Sequence, residues 1–306
     1  MTFCSSPENR DERSFIMNLK SFNFPMLIGL LILTSILIAG CVGEEAEPKK
    51  EISIGYVTWD SAIASTHVME QVFRQAGYDV DIVAVDAGPL YAAVASGDVD
   101  FTTAGWLPHI HQHFWKEYGE KIDYVNANIE GTGRHGLVVP AYVTIDSIEE
   151  MNSVADKFDH RIIGIEPGAG VMTMTENAIE GYDLDYQLVA SSSAGMAAEL
   201  RTAINNDEWI VVTGWTPHWM FGRFDLKFLD DPRKEYGEFD DIVTLARMGL
   251  KEDDPKAYGI LERFQWTADD ITSVMTDIES GTPPDEAAKT WIKANQATVD
   301  AWIGDQ

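Results

Sequence analysis

The sequence predicts an α/β protein built as two similar lobes with a cleft between them. Three observations carry this reading. Strand-like and helix-like stretches alternate from Ile52 onward, the alternation restarts at Arg161, and a Gly-Trp-x-Pro-His string occurs twice at one fixed spacing. Alternating β and α elements form a mostly parallel sheet covered on both faces.

In the first half, residues 52–57 (ISIGYV) read as a strand. Residues 62–76 read as a helix, capped near Asp60 or Ser61 and ended by Gly77. Strand 80–85, helix 90–96 and strand 99–104 follow. The second half opens with strand 161–166 (RIIGIE) and continues with helix 171–180, strand 186–190, helix 194–204 and strand 209–213.

The restart has a register. Gly55 and Gly164 sit in the first strand of each half, an offset of 109. Gly105-Trp106-x-Pro108-His109 and Gly214-Trp215-x-Pro217-His218 repeat at the same offset. Two coincidences at one spacing point to related lobes. Open parallel sheets bind ligands at the carboxyl ends of their strands, so Trp106 and Trp215 are expected to face one another across the cleft. The expected division is 52–140 plus 243–306 for one lobe and 141–242 for the other. The chain would cross near Pro140–Ala141 and return near 241–247. The tail from about 253 reads as helical, with Trp266, Trp291 and Trp302 as packing anchors on apolar faces.

At 306 residues the chain fits about two domains. The 22 Lys and Arg against 50 Asp and Glu give a net charge of −28, which excludes a nucleic-acid partner because phosphate binding needs a basic face. The cysteines, Cys4 and Cys41, both precede the α/β body, which therefore has no disulfide, thiolate nucleophile or cysteine-ligated metal. No Walker loop, nucleophile elbow or paired-carboxylate motif occurs, so neither an enzyme nor a cofactor is expected.

Residues 1–40 read as an address. Lys20 precedes an apolar run over 25–40 that ends Leu37-Ile38-Ala39-Gly40-Cys41. The run has the length of a signal-peptide core and is short for a membrane span. Its end resembles a lipobox, which would make Cys41 the lipidated first mature residue; a plain transmembrane anchor is the alternative. Either places the body outside the cytoplasmic membrane. Residues 41–51, charged and carrying Pro48, read as a tether.

Nine tryptophans stand in the chain, and three are set apart by position. Trp59 follows the first strand, and Trp106 and Trp215 sit in the repeated motif. All three are read as lying in loops at strand ends, where binding residues concentrate. Indole faces suit a cation with no hydrogen to donate, each contributing roughly 0.5–2 kcal/mol. Three faces fall short of the roughly 8 kcal/mol of a micromolar complex, so a polar anchor is needed. At the offset of 109, Trp59 corresponds to Gly168 in the segment Glu166-Pro167-Gly168-Ala169-Gly170-Val171, which opens a helix. Backbone N–H groups there would bind an anion; an ordinary turn is the alternative. His109, His111 and His113 alternate after Trp106. A helix would align His109 with His113 as a metal pair, but no acidic or cysteine partner follows at a recognisable spacing. They remain either solvated helix-start residues or, for one of them, a donor to a ligand carboxylate.

Taken together, residues 56–61 (YVTWDS), 104–108 (AGWLP), 136–140 (GLVVP), 164–172 (GIEPGAGVM) and 213–221 (TGWTPHWMF) resemble the glycine betaine-binding proteins of ABC importers, of the OpuAC type. The resemblance covers about 51–306. It implies a two-lobed, periplasmic-binding-protein-like fold (type II) that closes around a quaternary-ammonium zwitterion. It implies an ammonium cage of Trp59, Trp106 and Trp215, and a carboxylate held by the amides of Gly170 and Val171 and by His111. It also implies permease and ATPase subunits as partners. A choline- or carnitine-type receptor on the same architecture is the alternative.

Overall fold

The computed structural model describes residues 50–304. The proposed signal segment, Cys41 and most of the tether lie outside these residues.

Strand β1 (Glu51–Tyr56) leads into helix α1 (Asp60–Gln75), then β2 (Asp79–Ala84), α2 (Ala87–Ser96) and β3 (Phe101–Leu107). Helix α3 (Gln112–Tyr118) precedes the long strand β4 (Ile122–Pro140), and a 3-10 stretch, Ile148–Phe158, leads to the second half. There β5 (Arg161–Ile163), α4 (Gly170–Gly181), β6 (Gln187–Val189), α5 (Ser193–Asn205) and β7 (Val212–Thr216) repeat the earlier order. The short α6 (Met220–Arg223), β8 (Leu226–Phe228) and β9 (Asp240–Arg247) follow. The chain then runs through α7 (Leu250–Asp253), α8 (Pro255–Arg263), α9 (Ala268–Glu279), α10 (Pro284–Ala294) and α11 (Gln296–Ile303).

Among the described residues the strands form one sheet in the order β2-β1-β3-β9-β4-β7-β5-β6, with β8 on β4. Its ends are two parallel triplets, β2-β1-β3 and β6-β5-β7. Each has its half's first strand in the middle. Between them the sheet turns antiparallel, through β3 against β9, β9 against β4 and β4 against β7. The sheet is therefore mixed, where the sequence pattern predicted a mostly parallel one. Strand β4 pairs with β9 over residues 122–133 and with β7 over 134–138. Strand β4 thus passes from β9 to β7 at Gly133–Arg134, ahead of Pro140–Ala141. Residues 134–140 pair with β7 and β8 and go with the second half.

The repeated glycines have one physical cause. A Cβ on Gly55 would lie 2.5 Å from Leu90 Cδ1, and one on Gly164 would lie 2.3 Å from Met172 Sδ. On Gly105 it would lie 2.6 Å from Val243 Cγ2, and on Gly214 2.4 Å from Val138 Cγ2. In each half, one glycine lets the central strand lie under a covering side chain. The other lets the motif strand lie against its neighbour and so places the indole that follows it, Trp106 or Trp215. In the tail, Trp266, Trp291 and Trp302 pack on one another, with centroids 5.7 Å apart in both pairs, and lie outside the cleft. No helix among the described residues is long and apolar enough to cross a membrane.

Candidate functional site

Where the halves meet, a cavity of about 270 Å³ is lined by Trp59, Trp106, Ile110, His111, His135, Ile165, Ala169, Gly170, Val171 and Trp215. All six residues singled out in the sequence as ligand contacts meet on this one space. Trp59, Trp106, Ile110 and His111 come from the first half. Ile165, Ala169, Gly170, Val171 and Trp215 come from the second. His135 lies on β4 just past the passage, in register with Trp215.

The three indoles are buried yet border the cavity. Trp59 occupies the N-cap position of α1. Its Nε1–H donates to the Glu166 carboxylate of the other half, which leaves the ring face for the cavity. Trp106 and Trp215 lie within β3 and β7, not in loops beyond them as the sequence suggested. Both strands run further than their hydrophobic patterns showed, and side-chain alternation turns each ring toward the cleft. Edges of imidazoles brace them, His135 against Trp106 at 5.0 Å and His218 against Trp215 at 4.9 Å between centroids.

Gly170 and Val171 open α4, and its N-cap residue, Ala169, offers no side-chain acceptor. Helix geometry leaves the first N–H groups without an intrahelical partner. Here they border the cavity, with the positive end of the helix behind them.

His111 is wholly buried, and its tautomer follows from its partners. The backbone N–H of Trp106 donates to His111 Nδ1 at 3.1 Å, and the Tyr91 hydroxyl lies 3.1 Å from the same atom. Nδ1 is therefore the acceptor, and Nε2 carries the proton. Burial, with smaller contributions from His135 and His113, holds the imidazole pKa well below its usual 6.5, so the ring is a neutral donor. Its turn is pinned by Asp240, whose carboxylate accepts the N–H groups of His109 at 2.6 Å and Ile110 at 2.9 Å. Burial raises the Asp240 pKa, and those two N–H groups oppose it.

The other two histidines of the triplet diverge. The His109 side chain lies against Gly237, and His113 lies against Phe114, with centroids 3.8 Å apart and planes tilted by 43°. Helix α3 begins only at Gln112, so the helical alignment of His109 with His113 does not form.

Sequence reasoning missed His135. It is buried, its Nδ1 is enclosed without a hydrogen-bond partner, and Asp240 Oδ2 lies 3.7 Å away. Burial first, then His109, pushes its pKa down to about 3, so it adds no positive charge beside the indoles. Its sequence signal was slight, a lone histidine before Gly136 in a strand without clean alternation.

One side of the cavity is thus π-rich and apolar, and the other carries two free amides and an imidazole N–H. Indole faces suit a methylated cation, and free N–H groups at a helix start suit a carboxylate. The glycine betaine/carnitine transport binding protein GbuC of Listeria monocytogenes is 48% identical over 162 residues, 52% of this chain and 54% of that protein. The match thus spans about half the length of that curated relative. Among solved structures, lactococcal OpuAC in its closed, glycine betaine-bound form superposes with a TM-score of 0.80 at 42% identity, covering 84% of this chain and all of that one. The glycine betaine/L-proline-binding protein ProX of Borrelia burgdorferi superposes with a TM-score of 0.81 at 37% identity, covering 84% of this chain and 97% of that one. The model of the OpuAC family, the substrate binding domain of the ABC-type glycine betaine transport system, matches residues 50–294, and the chain belongs to that family.

Proposed function

We propose that this protein captures glycine betaine outside the cytoplasmic membrane and delivers it to the permease and ATPase subunits of an importer. A lipid on Cys41 would tether it there. The family model describes the substrate binding domain of a transport system, and the reading needs no covalent step. The observation that carries the ligand assignment is the convergence of three indoles with the Gly170 and Val171 amides and His111 on one small cavity. The indoles take the trimethylammonium group, and the amides with the Nε2–H of His111 take the carboxylate. Three cation–π faces at roughly 0.5–2 kcal/mol each and charged hydrogen bonds at roughly 1.5–3 kcal/mol each together reach the micromolar range. The lobes divide inside β4 and again in the segment before β9, and they hinge at those two crossings.

Titration of tryptophan fluorescence with glycine betaine, proline betaine and choline tests the reading. Glycine betaine should bind at least tenfold more tightly than choline, which offers no carboxylate to the amides. Equal affinities would remove the anionic half of the site and favour a general trimethylammonium receptor.

The neutral imidazoles give a second expectation. Both folded-state pKa values lie below the usual 6.5, so neither ring changes charge over about pH 5–8, where an ordinary histidine titrates. Calorimetric affinity for glycine betaine should be flat across that range. Stability behaves differently. Below about pH 6.5 the unfolded chain takes up these protons before the folded one, so both rings destabilise the fold as pH falls.

A further inference from the structure

The reading above requires the two halves to close on the solute, and the residue beside Trp59 supplies a contact for doing so. Asp60 is the first residue of α1, in the first half. Its carboxylate accepts the Ser193 hydroxyl at 2.7 Å and the Trp219 indole N–H at 2.7 Å, both from the second half. His218 Nε2 lies 3.5 Å from the same carboxylate. The Met220 N–H donates to His218 Nδ1 at 3.2 Å, so Nε2 carries the ring proton, enclosed without a hydrogen-bond partner of its own. Two donors from the start of α5 and the segment after β7 therefore meet one carboxylate from across the cleft, with the His218 ring beside them. Neither Asp60 nor any of the three lines the cavity. Burial works to raise the Asp60 pKa, but the nearby His218 imidazole and the Ser193 and Trp219 hydrogen bonds outweigh it and leave it at about 2.

We propose that Asp60 is a positioning residue, an interlobe clasp that holds Trp59 and Trp215 in their closed arrangement without touching the solute. Asp60 is the next residue after Trp59. On the opposite side, His218 packs edge-on against Trp215 and also against Trp219, with centroids 4.9 and 5.4 Å apart. Engaging the clasp thus sets one cage ring against another. A contact present only in the closed form lowers the dissociation constant of every ligand by one common factor, because it changes the population of the competent state and not the fit.

The test compares wild type, Asp60→Asn, Ser193→Ala and the double variant, titrated with glycine betaine and with proline betaine. In asparagine one oxygen becomes an NH2 that faces a donor, so Asp60→Asn should weaken both ligands at least tenfold by the same factor. The loss should appear as faster release, with the melting temperature of the unliganded protein unchanged. Asp60→Asn and Ser193→Ala should be non-additive in ligand affinity although neither side chain meets the ligand. An Asp60→Asn affinity within twofold of wild type, or strict additivity, overturns the clasp. Unequal losses for the two ligands overturn it too, since they place Asp60 on the solute. If Asp60→Asn lowers the unliganded melting temperature, Ser193→Ala decides from the other side: a common loss for both ligands supports the clasp, and unchanged affinity overturns it. Failure of the wild type to bind either betaine overturns the functional reading itself and the clasp with it.

Discussion

Gly170→Ala should weaken glycine betaine binding by at least a hundredfold while leaving the unliganded protein as stable as wild type or slightly more so. A Cβ at this position would lie 2.2 Å from the Ile110 carbonyl oxygen and 3.0 Å from its carbonyl carbon. Backbone atoms at that distance cannot yield as a side-chain tip can. The contact joins the first turn of α4 in the second half to the turn before His111 in the first. An added methyl therefore opposes closure at the point where amides and imidazole are meant to meet over one carboxylate. In the open form nothing opposes it. Gly170 is helical, and alanine is favoured over glycine in helices by up to about 1 kcal/mol. The two measurements should move apart, with affinity collapsing in calorimetry while the melting temperature of the unliganded protein holds or rises. Equal loss in both would make Gly170 a folding residue and no more.

Much of this arrangement was legible in the chain, for reasons that differ from element to element. The parallel triplets showed because their strands are short, apolar and separated by amphipathic helices. The repeat showed because a Cβ at Gly55, Gly105, Gly164 or Gly214 would press on a covering side chain, so the packing constraint is written in residue identity. Strand β4 did not show. Its sequence, IDYVNANIEGTGRHGLVVP, carries three glycines and is buried unevenly, since its two ends serve different neighbours. Without it the antiparallel junction and the passage at Gly133–Arg134 were out of reach, and so was His135. The clasp was also hidden, because Asp60 and Ser193 stand 133 positions apart and only the tertiary fold brings them together. Local pattern thus revealed what local packing dictates. Contacts made by closing the cleft left almost no trace except in the tryptophans and the helix-opening glycines.

Trp215→Ala should raise the dissociation constant for glycine betaine by more than tenfold, with the fold intact. Three losses combine at this position. One indole face is removed from the desolvated cation, at a cost of roughly 0.5–2 kcal/mol. The space it filled admits water among the remaining contacts, which weakens their electrostatic part. His218 also loses the ring it braces, 4.9 Å away between centroids, and with it part of the alignment toward Asp60. Buried interface tryptophans commonly cost about 2 kcal/mol or more on truncation, and each 1.4 kcal/mol is a factor of ten. Trp215→Phe separates the contributions, because it keeps an aromatic face but fills less of the cavity, and it should fall between wild type and alanine. Trp291→Ala provides the contrast: that ring packs against Trp266 and Trp302 and lies outside the cleft. Its loss should lower the melting temperature and leave affinity at folding temperatures unchanged. Should Trp215→Ala bind glycine betaine as wild type does, the cation is not held by indole faces, and the assignment of the cavity to a quaternary ammonium falls with it.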